Sequence, residues 1–497
     1  MPTSTVPTRW SLALTLAVAT LYATVSLSRW RQVLNAGYDL GIFDQALRHY
    51  AHLLPPCSPL KGYSANLLGD HFHPLLAVLA PLYWIWDDPR VLLVAQALVV
   101  ACATPYLMRL AGRRMARVQA AAFTAAVMVS WPLQHLIDFD FHEVALAVPL
   151  LAAAFDALDR RSDRALVVAC VLLLGVREDM GLVVGLLGVC RALRRPRLPG
   201  LALAVAGPVV MVVVTRLVVP ALAPDGEFAY WDYPALGPGP SQMVRTVIEH
   251  PLTAASLLVT PPVKAATLVW LVVPVLGLCL ASPWLLPALP LVVGRLWSDR
   301  PRLWQLDGHY NAPVLVIVVA AGLHTFGRLS QWLARRHRSE RTGPQRATKV
   351  ATVLGWLLVA AMAGSSVVAP LTVGLQPPFV RLAGPAWRID TTMRAKMAAV
   401  AQIPPNTCVA ADDRIVPRLT RTNRVSLPDT PGPTPQYIVI DMSRAVVGDA
   451  RPSPRTVLQS ALAHGYRQVW RRSGIVVLHD PAAPGAGDPR VCGPLAP

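Results

Sequence analysis

The sequence predicts a mainly α protein: a polytopic transmembrane helical bundle of about eleven spans, followed by a small extracytoplasmic α/β domain. Three observations carry that expectation. The 497-residue chain is 54% hydrophobic and only 15% charged, with a mean hydropathy of +0.44, above the usual range for a soluble protein of this size. Apolar runs recur up to residue 371 and then stop. Arginines gather in short blocks between those runs, and nearly every acidic side chain before residue 380 falls in segments that a charge-based topology puts on the other side of the membrane. The formal charge of +18 therefore reads as cytoplasmic loops. Nucleic-acid binding is excluded, because no basic helix with interleaved aromatics and no recognition motif is present.

The elements follow in order. Residues 10–28 form the first apolar run, flanked by Arg29, Trp30 and Arg31 rather than by a small-residue cleavage site, so an uncleaved first span is expected. Later runs occupy 91–108, 118–133, 144–158, 165–176, 180–190, 199–219, 263–281, 283–297, 312–327 and 350–371. Four basic loops, at Arg109–Arg117, Arg160–Arg164, Arg191–Arg197 and Arg328–Lys349, share the cytoplasm only if the N-terminus is also inside and Pro74–Trp86 does not cross. That segment is too short to span, and its Tyr83, Trp84 and Trp86 suit a helix lying at the outer interface. Prolines such as Pro208, Pro274, Pro283, Pro287 and Pro290 interrupt the later spans, which is tolerated where a broken helix lines protein or a water-filled cavity.

Residues 1–372 thus form the membrane domain, with a first outer loop at 30–90, and residues 373–480 the outer α/β domain. Within the latter, Thr407–Ala411, Tyr437–Asp441 and Gly474–His479 read as strands and Pro454–His464 as a helix. Residues 481–497, rich in Pro, Gly and Ala, read as a disordered tail. The seven cysteines show no zinc spacing; Cys408 and Cys492 share the outer compartment, where a disulfide is feasible.

Four polar clusters lie on the expected outer side: Gly37–Gln45 with Asp39 and Asp44; Asp70, His71 and His73; Asp138, Asp140, His142 and Glu143; and Arg177, Glu178 and Asp179. Asp307, His309 and Tyr310 add to the same side. Each has a bland reading: Asp39 as a helix cap, the histidines as headgroup contacts, Arg177 in a local ion pair. Together they supply carboxylates, histidines and a cation, a set suited to general base chemistry and a clamp for phosphate oxygens. Asp138, Asp140 and His142 would face one way on an extended segment and, with Glu143, form the candidate site for a divalent metal ion. Lys264 and Arg295, at span ends, are placed to meet an anionic lipid or to snorkel.

The runs Tyr38-Asp-Leu-Gly-Ile-Phe-Asp-Gln-Ala46, Gly69-Asp-His-Phe-His-Pro74, Asp138-Phe-Asp-Phe-His-Glu143, Arg177-Glu-Asp-Met-Gly181 and His309-Tyr310, in this order, resemble the bacterial membrane family called domain of unknown function 2079. The resemblance extends to Val409–Pro417 and Tyr437–Asp441. That family is similar in layout to GT-C glycosyltransferases, which move a sugar from a polyprenyl-phosphate donor to an acceptor outside the cytoplasm. The resemblance implies an acidic residue of the first outer loop near the reaction centre; Asp39 matches by placement and Asp44 is the second candidate. Asp39 is followed by Leu40, so the adjacent acidic pair usual in such enzymes is absent. The implied partners are a polyprenyl-phosphate-linked sugar and membrane lipid. Asp70, His71, His73, Arg177, Glu178, Asp179, His309 and Tyr310 are the expected substrate contacts. The competing readings are a transporter or lipid flippase, for which mid-bilayer charge and related halves are expected, and a scaffold presenting the C-terminal domain.

Overall fold

The computed structural model describes residues 6–62, 65–336, 343–432, 434–444 and 452–483. The first helix, Thr8–Arg31, is followed by a π-helical turn at Gly37–Gly41 and the amphipathic helix Ile42–Ala51. Among the described residues five helices are long and apolar enough to cross a bilayer: Thr8–Arg31, Arg90–Gly112, Leu198–Leu222, Asn311–Arg336 and Gln345–Thr372. Two bent pairs, Arg117–Met128 with Trp131–Phe139 and Pro251–Leu257 with Pro262–Val275, raise the number to seven. The remaining expected spans are helical but short. Ala147–Arg160, Asp163–Leu174 and Met180–Ala192 have 14, 12 and 13 residues, or about 18–21 Å against a hydrocarbon core of about 30 Å. Pro274 and Pro283 help break 273–285 into single 3-10 turns, because proline lacks the N–H that would continue the ladder.

The bundle is held by close packing. Trp131, Trp284, Tyr22, Phe123 and Phe155 are fully buried in one continuous core. Where Met180–Ala192 crosses Leu198–Val213, a Cβ built on Gly188 would stand 2.4 Å from the backbone nitrogen of Ala204. Only glycine allows that approach, which is how helices associate without a hydrophobic force between them.

Segment 74–85 is helical, a 3-10 stretch at Pro74–Leu79 and a short helix at Leu82–Ile85, and it leaves Val78, Trp84 and Ile85 exposed. Beyond the bundle stands a five-stranded sheet of order β2-β1-β3-β5-β4, with β1 (Cys408–Ala411), β2 (Arg424–Ser426), β3 (Tyr437–Asp441), β4 (Arg467–Arg472) and β5 (Ile475–His479). β1 runs parallel to β2 and β3, and β5 is antiparallel to β3 and β4. The strands and the helix expected from sequence are present, the helix as Pro454–Ala463; β2, β4 and the helix Thr391–Val400 are additional. Alternate residues serve two faces. Ala410, Ile438, Ile440, Val476 and Leu478 pack against Pro454–Ala463, whereas Val409, Ala411, Val439, Ile475 and Val477 share a core with Thr391–Val400 and with the loop after the first helix. The C-terminal domain is therefore docked on that loop. Cys408 is a free, buried thiol, so the feasible pairing with Cys492, which lies outside the described residues, is not made; Cys57 is disulfide-bonded. Of the expected tail, residues 484–497 lie outside the described residues.

Candidate active site

The π-helical turn presents Asp39 half-buried, with no hydrogen bond or ion pair to another described side chain. Its carboxyl is pushed up to about 8, first by burial and then by the negative charges of Asp140, Asp413 and Glu143, with Arg302 opposing. Three distant segments thus converge on one side chain. The loop carrying it is pinned by the C-terminal domain: Gly37 N–H donates to the Asp413 carbonyl at 2.7 Å and Tyr38 N–H to Asp413 Oδ1 at 2.9 Å. Asp413 escaped the sequence reading, because only the folded chain brings it 375 positions back to Tyr38.

Asp44, on the next helix, is fully buried and turned to other partners. It accepts from Arg48 Nε at 3.0 Å and from the Tyr83 hydroxyl at 2.7 Å. The structure places it apart from the Asp39 cluster, with its oxygens already satisfied.

The second loop joins the fourth. His71 Nδ1 meets Glu178 Oε1 at 2.7 Å and Phe72 N–H donates to Glu178 Oε2 at 3.0 Å. The imidazole is raised and the carboxyl lowered: burial opposes both shifts, and the mutual attraction outweighs it. Asp70 pairs with Lys61 at 2.9 Å and accepts from the Tyr230 hydroxyl, and Tyr230 stacks on His71 at 4.1 Å. His73 is buried beside Phe43, its Nδ1 without a partner among the described residues, and burial pushes its imidazole down to about 4.

The third loop differs most from expectation. The helix Trp131–Phe139 carries Asp138 inside it, and Asp140 follows with φ at 127°, a conformation rarely adopted by a residue other than glycine. This breaks the extended run that would align Asp138, Asp140 and His142. Asp138 is held by Arg29 at 3.2 Å and Arg381 at 2.6 Å. Asp140 accepts from Ala36 N–H at 2.8 Å and from the Asn35 amide, with Arg29 Nε at 3.8 Å; burial lifts it to about 6. Among the described residues no group of three or more His, Cys, Asp or Glu is arranged to hold a metal ion. Of the donor set expected for a divalent ion, Asp138 and Asp140 are thus turned to arginines and amides, whereas His142 and Glu143 meet each other.

Glu143, His142, Arg177 and His309 form one contact group. Glu143 Oε2 lies 2.5 Å from His142 Nδ1, an ion-pair contact without aligned hydrogen-bond geometry, and Glu143 Oε1 is 3.5 Å from Arg177. Arg177 is forked onto Asp179 at 2.9 and 2.5 Å. His309 stacks on His142 at 3.6 Å and lies against Tyr310 at 3.9 Å, and both its ring nitrogens are buried without a partner among the described residues. Beside them Arg295 donates to Asn311 at 3.0 Å and leaves Nε and Nη1 unpartnered. Lys264 is spent on the carbonyls of Leu257 and Leu296 at 2.9 and 2.6 Å, over the Trp304 ring.

The whole architecture is similar to a solved structure, ArnT from Cupriavidus metallidurans bound to undecaprenyl phosphate. The TM-score is 0.50 at 16% identity, covering 94% of this chain and 97% of that one. The apo state of the same protein gives 0.49 at 16% identity over the same shares. At this identity the likeness is one of fold. No curated protein matches the sequence. The family model described as "Predicted membrane protein (DUF2079)" matches residues 29–477, from the end of the first helix to the last strand, and the chain belongs to that family of membrane proteins.

Proposed function

We propose that this protein is a membrane glycosyltransferase that moves a sugar from a polyprenyl-phosphate donor to an acceptor outside the cytoplasm. The carrying observation is the unpartnered Asp39 carboxylate, set among acidic neighbours at one end of an ArnT-like bundle. On this reading about eleven segments cross or enter the bilayer, the N-terminus is cytoplasmic, and the domain at 373–480 stands outside the 1–372 membrane domain.

The chemistry follows from the charges. A base must reach the acceptor hydroxyl as the sugar leaves its phosphate. A carboxyl near 8 is ionised in about one molecule in ten at pH 7 and holds a proton firmly once it has accepted one, which matches the task. Arg177 is already compensated by Asp179 and Glu143, so it fixes the cluster more than it neutralises a ligand. Arg295, with two free N–H edges, is the better candidate for the phosphate, and His309 and Tyr310 beside it for donor or acceptor contact. Asp70, His71, His73 and Glu178 line the opening, and Asp44 serves as a positioning residue.

The test is Asp39→Asn. Transfer should fall by about 10²–10⁴-fold, with a polyprenyl-phosphate sugar accumulating in the lipid extract by mass spectrometry and the purified protein melting no lower than wild type. Full transfer by that variant would remove the base assignment.

A further inference from the structure

At the end of the bundle remote from Asp39, three arginines share one buried carboxylate. Asp156 is fully buried and lies 3.1 Å from Arg109, 2.7 Å from Arg113 and 3.1 Å from Arg160. Arg113 and Arg114 also share Asp159. Arg164 has no carboxylate partner among the described residues, because neighbouring Asp163 is taken by Arg191 at 2.5 Å. Positive charge is therefore in excess here, and partly exposed.

That excess borders a groove. Between Thr104–Gly112, Ala147–Arg160 and Asp163–Leu174 lies a cavity of about 430 Å³, with Tyr106, Leu150, Ala153 and Leu172 along it and Arg160 and Arg164 at its rim. Its outer flank carries Val168 and Val171, 54% and 59% exposed, a face that water would penalise and acyl chains would not. Two of the three helices forming it, Ala147–Arg160 and Asp163–Leu174, have 14 and 12 residues. At about 1.5 Å per residue they fall well short of a bilayer core of about 30 Å, which draws headgroups inward toward the arginines. An apolar slot that opens sideways and ends in guanidinium groups complements a lipid whose tail is apolar and whose head is a phosphate.

We infer that the groove between these three helices is a binding site for one anionic phospholipid, its phosphate on Arg160 and Arg164 and an acyl chain along Leu150, Ala153 and Leu172. The site is independent of the proposed reaction, because it lies at the opposite end of Ala147–Arg160 from Glu143. A free phosphate would lack the apolar contact. A zwitterionic lipid carries a compensating cation that these arginines repel.

The experiment is native mass spectrometry of the full-length, delipidated protein titrated with dioleoyl phosphatidylglycerol or with dioleoyl phosphatidylcholine. Wild type should retain one phosphatidylglycerol at roughly tenfold higher occupancy than phosphatidylcholine. Arg164→Ala should lower the preference several-fold with an unchanged melting temperature, since Arg164 makes no ion pair among the described residues. Ala153→Leu, which narrows the slot, should lower occupancy by both lipids. Arg335→Ala, an exposed arginine on another helix, is the control for general charge. Equal retention of the two lipids by wild type, no change in Arg164→Ala, or the same loss in Arg335→Ala would each overturn the site.

Discussion

Asp39 and Asp44 sit five positions apart on consecutive helical turns, and the structure gives them opposite surroundings. Asp44 is covered by Arg48 and Tyr83. Asp39 faces carboxylates. Asp44→Asn leaves the Arg48 guanidinium only the half-exposed Asp87 in place of its buried counter-charge, and breaking a buried pair this way costs up to roughly 3–5 kcal/mol. Its melting temperature should drop by several degrees where that of Asp39→Asn does not. The sign for Asp39 is also fixed. Its carboxyl is raised from 3.8 to about 8, so its share of stability is fullest below about 3.8 and is lost as pH climbs toward 8. Catalysis runs the other way, since a base must be ionised, and transfer should rise with pH through that range. Asp413→Asn keeps an oxygen for Tyr38 N–H but removes a charge, so the rising limb of the pH–rate profile should move to lower pH. An unmoved limb would detach Asp413 from the base.

The π-helical turn owes its shape to contacts made far along the chain. A Cβ built on Gly37 would stand 2.6 Å from Val416 Cβ and Cγ1. Gly37→Ala should therefore cost about 1–3 kcal/mol; Val416→Ala removes the Cγ1 overlap but keeps the Cβ, so it should restore only part of that loss, and Val416→Gly should restore more. A double-mutant cycle on melting temperature reads the coupling, and additive losses would mean that the two do not touch. At this scale the sequence was legible where signals are local. The apolar runs became helices, and the β-rich stretches at 407–411, 437–441 and 474–479 became strands. It was least legible where neighbours decide. The edge strand Arg467–Arg472 has a mostly exposed, charged sequence with no alternation to betray it. The helix running through Asp138 hid the break at Asp140.

Across the whole molecule, the reading of charge by side missed its exceptions. Asp156, Asp159 and Asp163 lie among the arginines and pair with them. The convergence of the loop clusters could be inferred because each interrupts an apolar run; the docking of the C-terminal domain on them could not, because Gln45 to Val425 and Trp30 to Arg418 are contacts without local pattern. A chain ending at Ile389 keeps Arg381 on Asp138 and Gln32 near Pro385, so the bundle should still insert. It should lose transfer, and amide exchange in residues 37–51 should accelerate at least tenfold. Protection as in the full chain would show that the loop holds itself.

The stack of Tyr230 on His71 has a consequence for how a bulky molecule enters. The strap at 223–239 is fastened at one side by that ring pair and the bond to Asp70, and at the other by Arg300 to Asp232 at 2.8 Å and Asp299 N–H to the Asp232 carbonyl at 3.1 Å. Each anchorage rests on a few polar and ring contacts around one carboxylate, Asp70 or Asp232. On the proposed reading, a strap latched in this way is the doorway through which a long-tailed guest passes without unpacking any helix.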